Sequence, residues 1–81
     1  MFSVCQLKGA RALLGWSAKD LAEISGIGAT TIRRYEMGSG IPNANVSVLK
    51  KLRACFEDHG IEFTGDPLVN PGVTLHLSKN L

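Results

Sequence analysis

Up to about residue 59 the apolar residues return at three- and four-residue intervals, and beyond Gly60 they return at every second residue. The change of period divides the chain into a helical part and an extended part. Val4, Leu7, Ala10 and Leu14 share one helical face and Gly15 follows, so residues 3–14 are expected to form a helix closed by a glycine. Ser17, with Asp20 three residues on, has the spacing of a capping box, although Asp stands where Glu or Gln is usual. It opens a second helix over 18–25, with Leu21, Ala22 and Ile24 turned inward and Gly26 at its end. Ile27 plugs the turn, and a third helix is expected over 29–37, stopped by Gly38, Gly40 and Pro42. A fourth, over 45–59, carries Val48, Leu49, Leu52, Cys55, Phe56 and His59 on one stripe. Lys50, Lys51 and Arg53 lie on its other face.

In the extended part, Ile61 and Phe63 alternate with polar neighbours, as do Val73, Leu75 and Leu77. The segment 64–72 between them contains Pro67 and Pro71. Two strands joined by a long loop are expected. A lone hairpin is marginal in water, so its apolar face must pack either on the helices or on a second subunit. The fold class is therefore mainly α: four helices in residues 1–60, followed by a C-terminal β-hairpin extension in 61–81.

Composition narrows the function. With 81 residues the chain has room for one small domain with a modest core, and 44% apolar against 20% charged residues is the balance of a folded protein. Net charge is only +2 but unevenly spread. Residues 1–55 hold eight basic side chains against three acidic ones, a balance of +5, while residues 56–81 hold Lys79 against four acids, a balance of −3. A polyanion suits the front only. Cys5 and Cys55, without metal-ligand spacing and on apolar helical faces, are expected to be buried free thiols. No run of about 18 apolar residues and no signal-peptide layout are present, so no membrane role and a cytoplasmic location are expected. His59 and His76 have no nucleophile, paired carboxylate or metal motif beside them. No enzymatic activity, catalytic residue, metal, cofactor or small-molecule ligand is expected.

The third helix sets two arginines side by side. On a wheel at about 100° per residue, with Ala29 at the origin, Arg33 falls at about 40°, Met37 at about 80°, Thr30 at about 100° and Arg34 at about 140°. Tyr35 and Ile32 fill the opposite arc and would dock the helix on its neighbours, since a helix this short is unstable alone. The exposed arc offers two guanidinium groups, a hydroxyl and little bulk, which suits the major groove of duplex DNA. Arginine pairs bidentately with guanine there, and threonine can take a phosphate or a base edge. Gly28 and Ala29 let the helix start approach a phosphate, where free N–H groups favour an anion. Arg33 and Arg34 stand on opposite flanks of the arc, so one is expected to read and the other to anchor.

The run Ala10-Arg11-Ala-Leu-Leu-Gly15-Trp-Ser17, then Leu21-Ala22-Glu23, Gly26-Ile27-Gly28, Thr31-Ile32, Arg34, Glu36, Gly38, Pro42 and Leu49, resembles the helix-turn-helix regulators of the Cro and phage-repressor type, the XRE family. The resemblance implies a lambda-repressor-like four-helix fold over about residues 4–59 and a transcriptional regulator that binds double-stranded DNA. It assigns Ser17, Ala18 and Lys19 to the phosphate backbone, and Ala29, Thr30, Arg33 and Arg34 to phosphates and base edges. Arg11 and Glu36 become a supporting pair, and Trp16, Leu21, Ile27, Ile32 and Leu49 core residues. Two departures stand out: Gly28 replaces the usual Ser or Thr cap of the recognition helix, and Ala18 replaces a phosphate-binding Gln. The family's habit of binding as two-fold dimers implies a homodimer on an inverted-repeat operator, with the hairpin as the expected dimerisation element. A hairpin that merely covers the fourth helix of a monomer is the alternative. For function, the alternative is a protein-interaction module, such as an antitoxin-like partner with auxiliary DNA binding.

Overall fold

Three of the four helices begin at a side chain that caps them, and the fourth begins at a glycine. The computed structural model describes residues 1–77. Residues 78–81, the last part of the 61–81 extension and the position of Lys79, lie outside the described residues. In α1 (Val4–Leu14) the Ser3 hydroxyl accepts the Gln6 N–H at 3.3 Å and the Gln6 side-chain oxygen accepts the Ser3 N–H at 2.9 Å. In α2 (Ala18–Ser25) Ser17 and Asp20 exchange the same pair of bonds at 3.0 and 2.9 Å, the capping box expected from their spacing. Gly15 and Gly26 close these helices at φ 70° and 79°, a conformation that costs a residue with a Cβ. α3 (Ala29–Glu36) follows Gly28 with no side-chain cap. α4 (Val46–Asp58) is capped by Asn45, whose side-chain oxygen accepts the Val48 N–H at 2.9 Å.

The chain then pairs β1 (Ile61–Thr64) with β2 (Gly72–Leu75), antiparallel, in the register Ile61 to Leu75 and Phe63 to Val73. The second strand stops at Leu75; Leu77, expected to continue it, is exposed. The architecture is four helices plus a two-stranded antiparallel hairpin, mainly helical, as the change of period implied.

The core gathers Leu7 and Ala10 of α1, Leu21 of α2, Ile32 and Tyr35 of α3, Leu49, Leu52 and Phe56 of α4, and Ile61 of β1. Trp16 and Ile27 pack partly buried at its margin. The hairpin lays its apolar face on the helices, β2 against α1 and β1 against α4. Phe2, ahead of any element, is fully buried and stacks on Phe63 with ring centroids 5.4 Å apart. Burying a side chain of that size contributes about 1.5–3 kcal/mol, so the stretch before α1 belongs to the core.

Two burial expectations are corrected. Cys5 is exposed and Cys55 only half-buried. The buried stripe of α1 runs through Val4, Leu7 and Ala10 on one side of the helix, which turns position 5 outward. Burial lifts the Cys55 thiol pKa above its ordinary value, with Asp58 adding to the effect. Ile24, expected inward, is 45% exposed. The buried face of α2 is Ala18, Leu21 and Ser25, spaced three and four apart, and Ile24 falls off it.

Candidate nucleic-acid interface

α3 has only eight residues, too few to hold its own shape, so its orientation is set by what it buries. Ile32 is fully buried and Tyr35 nearly so. Thr30, Arg33, Arg34 and Met37 are exposed on the other side, and Ala29 is half-buried at the edge. The division by angle read from the wheel is the division by burial.

Arg11 of α1 holds the far end of α3. Its Nε and Nη2 donate to the two carboxylate oxygens of Glu36, both at 2.7 Å, and its Nη1 donates to the Trp16 carbonyl at 2.8 Å. This fork is short and two-pronged, the stronger kind of ion pair. Both side chains are partly sheltered, at 23% and 11% exposure, which limits screening by solvent. The hydrogen bond to Glu36 raises the Arg11 pKa further, keeping the guanidinium charged. Among the described residues a further ion pair joins Arg53 to Glu57, and His76 Nε2 lies 2.6 Å from a Glu62 carboxylate oxygen. Among the described residues no carboxylate pairs with Arg33 or Arg34, and both side chains are exposed.

At the start of α2, Ser17 and Lys19 are exposed. The Ser17 hydroxyl already serves as cap, and its N–H is bound by Asp20. Ala18 is only 8% exposed and its methyl group sits in the core, so the group at that position able to meet a phosphate is its backbone N–H. Gly28, exposed ahead of α3 at φ −61°, has an ordinary extended backbone and offers lack of bulk, not an unusual conformation. Arg34 borders a cavity of about 130 Å³ whose wall continues through Tyr35, Ser39 and Asn43. It therefore stands on the flank of α3 nearest the loop to α4, and the wheel separates Arg33 from it by about 100°.

Several contributors were not read from the sequence. The Lys51 ammonium lies beside Gly26, 3.3 Å from where a Cβ there would stand, and so above the negative end of the α2 dipole. Its position on the polar face of α4 carries no sign of that contact. Gln6, passed over as a polar residue beside Leu7, is buried and bonds to the hairpin. The two histidines are engaged elsewhere. His59 Nδ1 lies 2.8 Å from the Cys55 carbonyl with its ring edge-on to Trp16, and His76 Nε2 lies 2.6 Å from Glu62.

The descriptions of known proteins agree with this layout where they reach. A helix-turn-helix family model matches residues 7–56, more than half of the chain, from the middle of α1 to near the end of α4. No curated protein and no solved structure matches significantly.

Proposed function

The chain belongs to the helix-turn-helix family of the Cro and phage-repressor type, a family of DNA-binding regulators, and from that premise we propose that it is a sequence-specific repressor that inserts α3 into the major groove as a homodimer. The observation that carries the reading is the bare, unpaired arc of α3, with Thr30, Arg33 and Arg34 outward and Ile32 and Tyr35 buried behind them. In this reading the helix start at Gly28 and Ala29 meets a phosphate. Thr30 and one arginine meet base edges, and the other arginine meets the backbone. Lys19, with the N–H of Ala18 and the exposed hydroxyl of Ser17, meets the phosphates on the other flank. Arg11 and Glu36 hold the helix without touching DNA.

One head with so few phosphate contacts would bind weakly at cytoplasmic salt. A second copy on an inverted repeat supplies the missing contacts, and the hairpin supplies the surface. The outer edges of β1 and β2 lack a further strand among the described residues. Leu68 and Val69, at 66% and 81% exposure, add apolar area beside them. The same apolar area favours a second reading, a module that binds another protein and touches DNA as an auxiliary.

Selection of sites from random duplex DNA at low salt separates the two. An inverted repeat should be enriched. Arg34→Ala should weaken binding by about 1–3 kcal/mol and relax one base position, whereas Arg33→Ala should weaken all sites alike and lower the salt slope by about 1. If no duplex is enriched, the interaction-module reading replaces this one.

A further inference from the structure

Both N–H groups of the Gln6 amide and its oxygen are hydrogen-bonded. Gln6 is 2% exposed, its oxygen accepts the Ser3 N–H, and its nitrogen donates to two carbonyls, Thr64 at 3.1 Å and Gly72 at 2.9 Å. Those two carbonyls belong to residues paired across the mouth of the hairpin, where the strands part into the loop 65–71, and both turn toward the one Gln6 nitrogen. One α1 side chain thus sets the angle at which that loop leaves the sheet.

The loop in turn reaches the segment that follows α3. A Cβ on Gly40 would stand 3.7 Å from Leu68, ordinary contact distance, and the Gly40 carbonyl accepts the Val4 N–H at 2.8 Å. The segment between α3 and α4 is therefore bonded to the first residue of α1, and Leu68 of the hairpin loop lies close beside it. Ser39 and Asn43, beside Arg34 on the cavity wall, belong to that segment.

We propose that Gln6 is a positioning residue for DNA binding: by holding the hairpin mouth it sets Leu68 against Gly40 and so fixes the segment after α3 and the Arg34 flank of the recognition surface. This rests on the DNA-binding reading above. The hairpin is then a brace of the reading head as well as a surface for a second copy, and a partner seated on its edges is felt at α3.

The test uses the full chain and the duplex selected by the wild type. Gln6→Met keeps the volume and removes the donors, and Leu68→Ser removes the contact on Gly40 from an exposed position where folding has little to lose. Ala54→Gly, at an exposed site on α4, is the control for lost stability without a hairpin contact. With all variants folded by circular dichroism, Gln6→Met should bind about tenfold and Leu68→Ser about threefold more weakly, while Ala54→Gly binds as wild type. Wild-type affinity in both hairpin variants would overturn the proposal and leave the hairpin a cover. If Gln6→Met does not fold, Leu68→Ser decides alone. If the wild type enriches no duplex, the DNA-binding reading itself fails and this proposal goes with it, a result visible before any variant is made.

Discussion

The Arg11 guanidinium makes three hydrogen bonds, two to Glu36 and one to the Trp16 carbonyl, and so ties α1, the turn after it and the end of α3 into one corner. Removing either charged partner strands the other in a half-sheltered place. A double-mutant cycle with Arg11→Ala and Glu36→Ala should give a coupling of about 1–3 kcal/mol in urea unfolding. Arg11→Lys should not restore it, because an ammonium lacks the fork that meets both oxygens. Asp20 makes a different residue-scale prediction. The Ser17 N–H, then the Ser17 hydroxyl, lower the Asp20 pKa below its ordinary 3.8. A carboxylate whose folded pKa is depressed stabilises the fold above its unfolded pKa, and that contribution is lost as pH falls through the folded one. The thermal midpoint should therefore drop between about pH 5 and pH 2 more steeply for the wild type than for Asp20→Asn.

At the scale of elements, α3 is the one helix whose first turn has no side chain bonded to it. Gly28 has room for a side chain, since an added Cβ would meet only the Thr31 hydroxyl at 3.8 Å, and its φ of −61° suits any residue. Gly28→Ser should raise stability by a few tenths of a kcal/mol, read as a shift of the urea midpoint at unchanged slope. The helices were legible because each carries its own punctuation: Ser17 with Asp20, Gly15, Gly26 and the break at Gly38 act within a few residues, and the stripe through Leu49, Leu52 and Phe56 needs only a period. The exposed arc of α3 was legible for the same reason, being a matter of angle within eight residues. What escaped lies between elements. Nothing near Phe2 says that an aromatic 61 positions later will stack on it, and nothing near Gln6 says that its amide has two carbonyls to meet. Cys5 was misjudged because one apolar neighbour is enough to suggest a stripe, and the stripe passed on the other side.

At the scale of the whole molecule, the basic front and acidic tail fold onto each other, with the hairpin packed on α1 and α4 and the arginines of α3 left outward. In the proposed dimer, the exposed arginines of α3 meet DNA and the hairpin, whose strands carry no basic side chain, meets its copy. Sedimentation equilibrium should accordingly give a dimer mass in the micromolar range, and a chain that stays monomeric to high micromolar concentration would remove the dimer from the proposal. The distribution of contacts also bears on how the molecule comes into being. The capping boxes of α1 and α2 close over a few residues, whereas α3 needs the neighbours that bury Ile32 and Tyr35. The two acceptors of Gln6 lie 58 and 66 positions downstream of it, and long loops close slowly. Until residues 63 and 64 have been synthesised, the ring of Phe2 lacks the ring it stacks on and the Gln6 nitrogen lacks both of its carbonyls, so in a nascent chain all four helices precede the hairpin that packs on them.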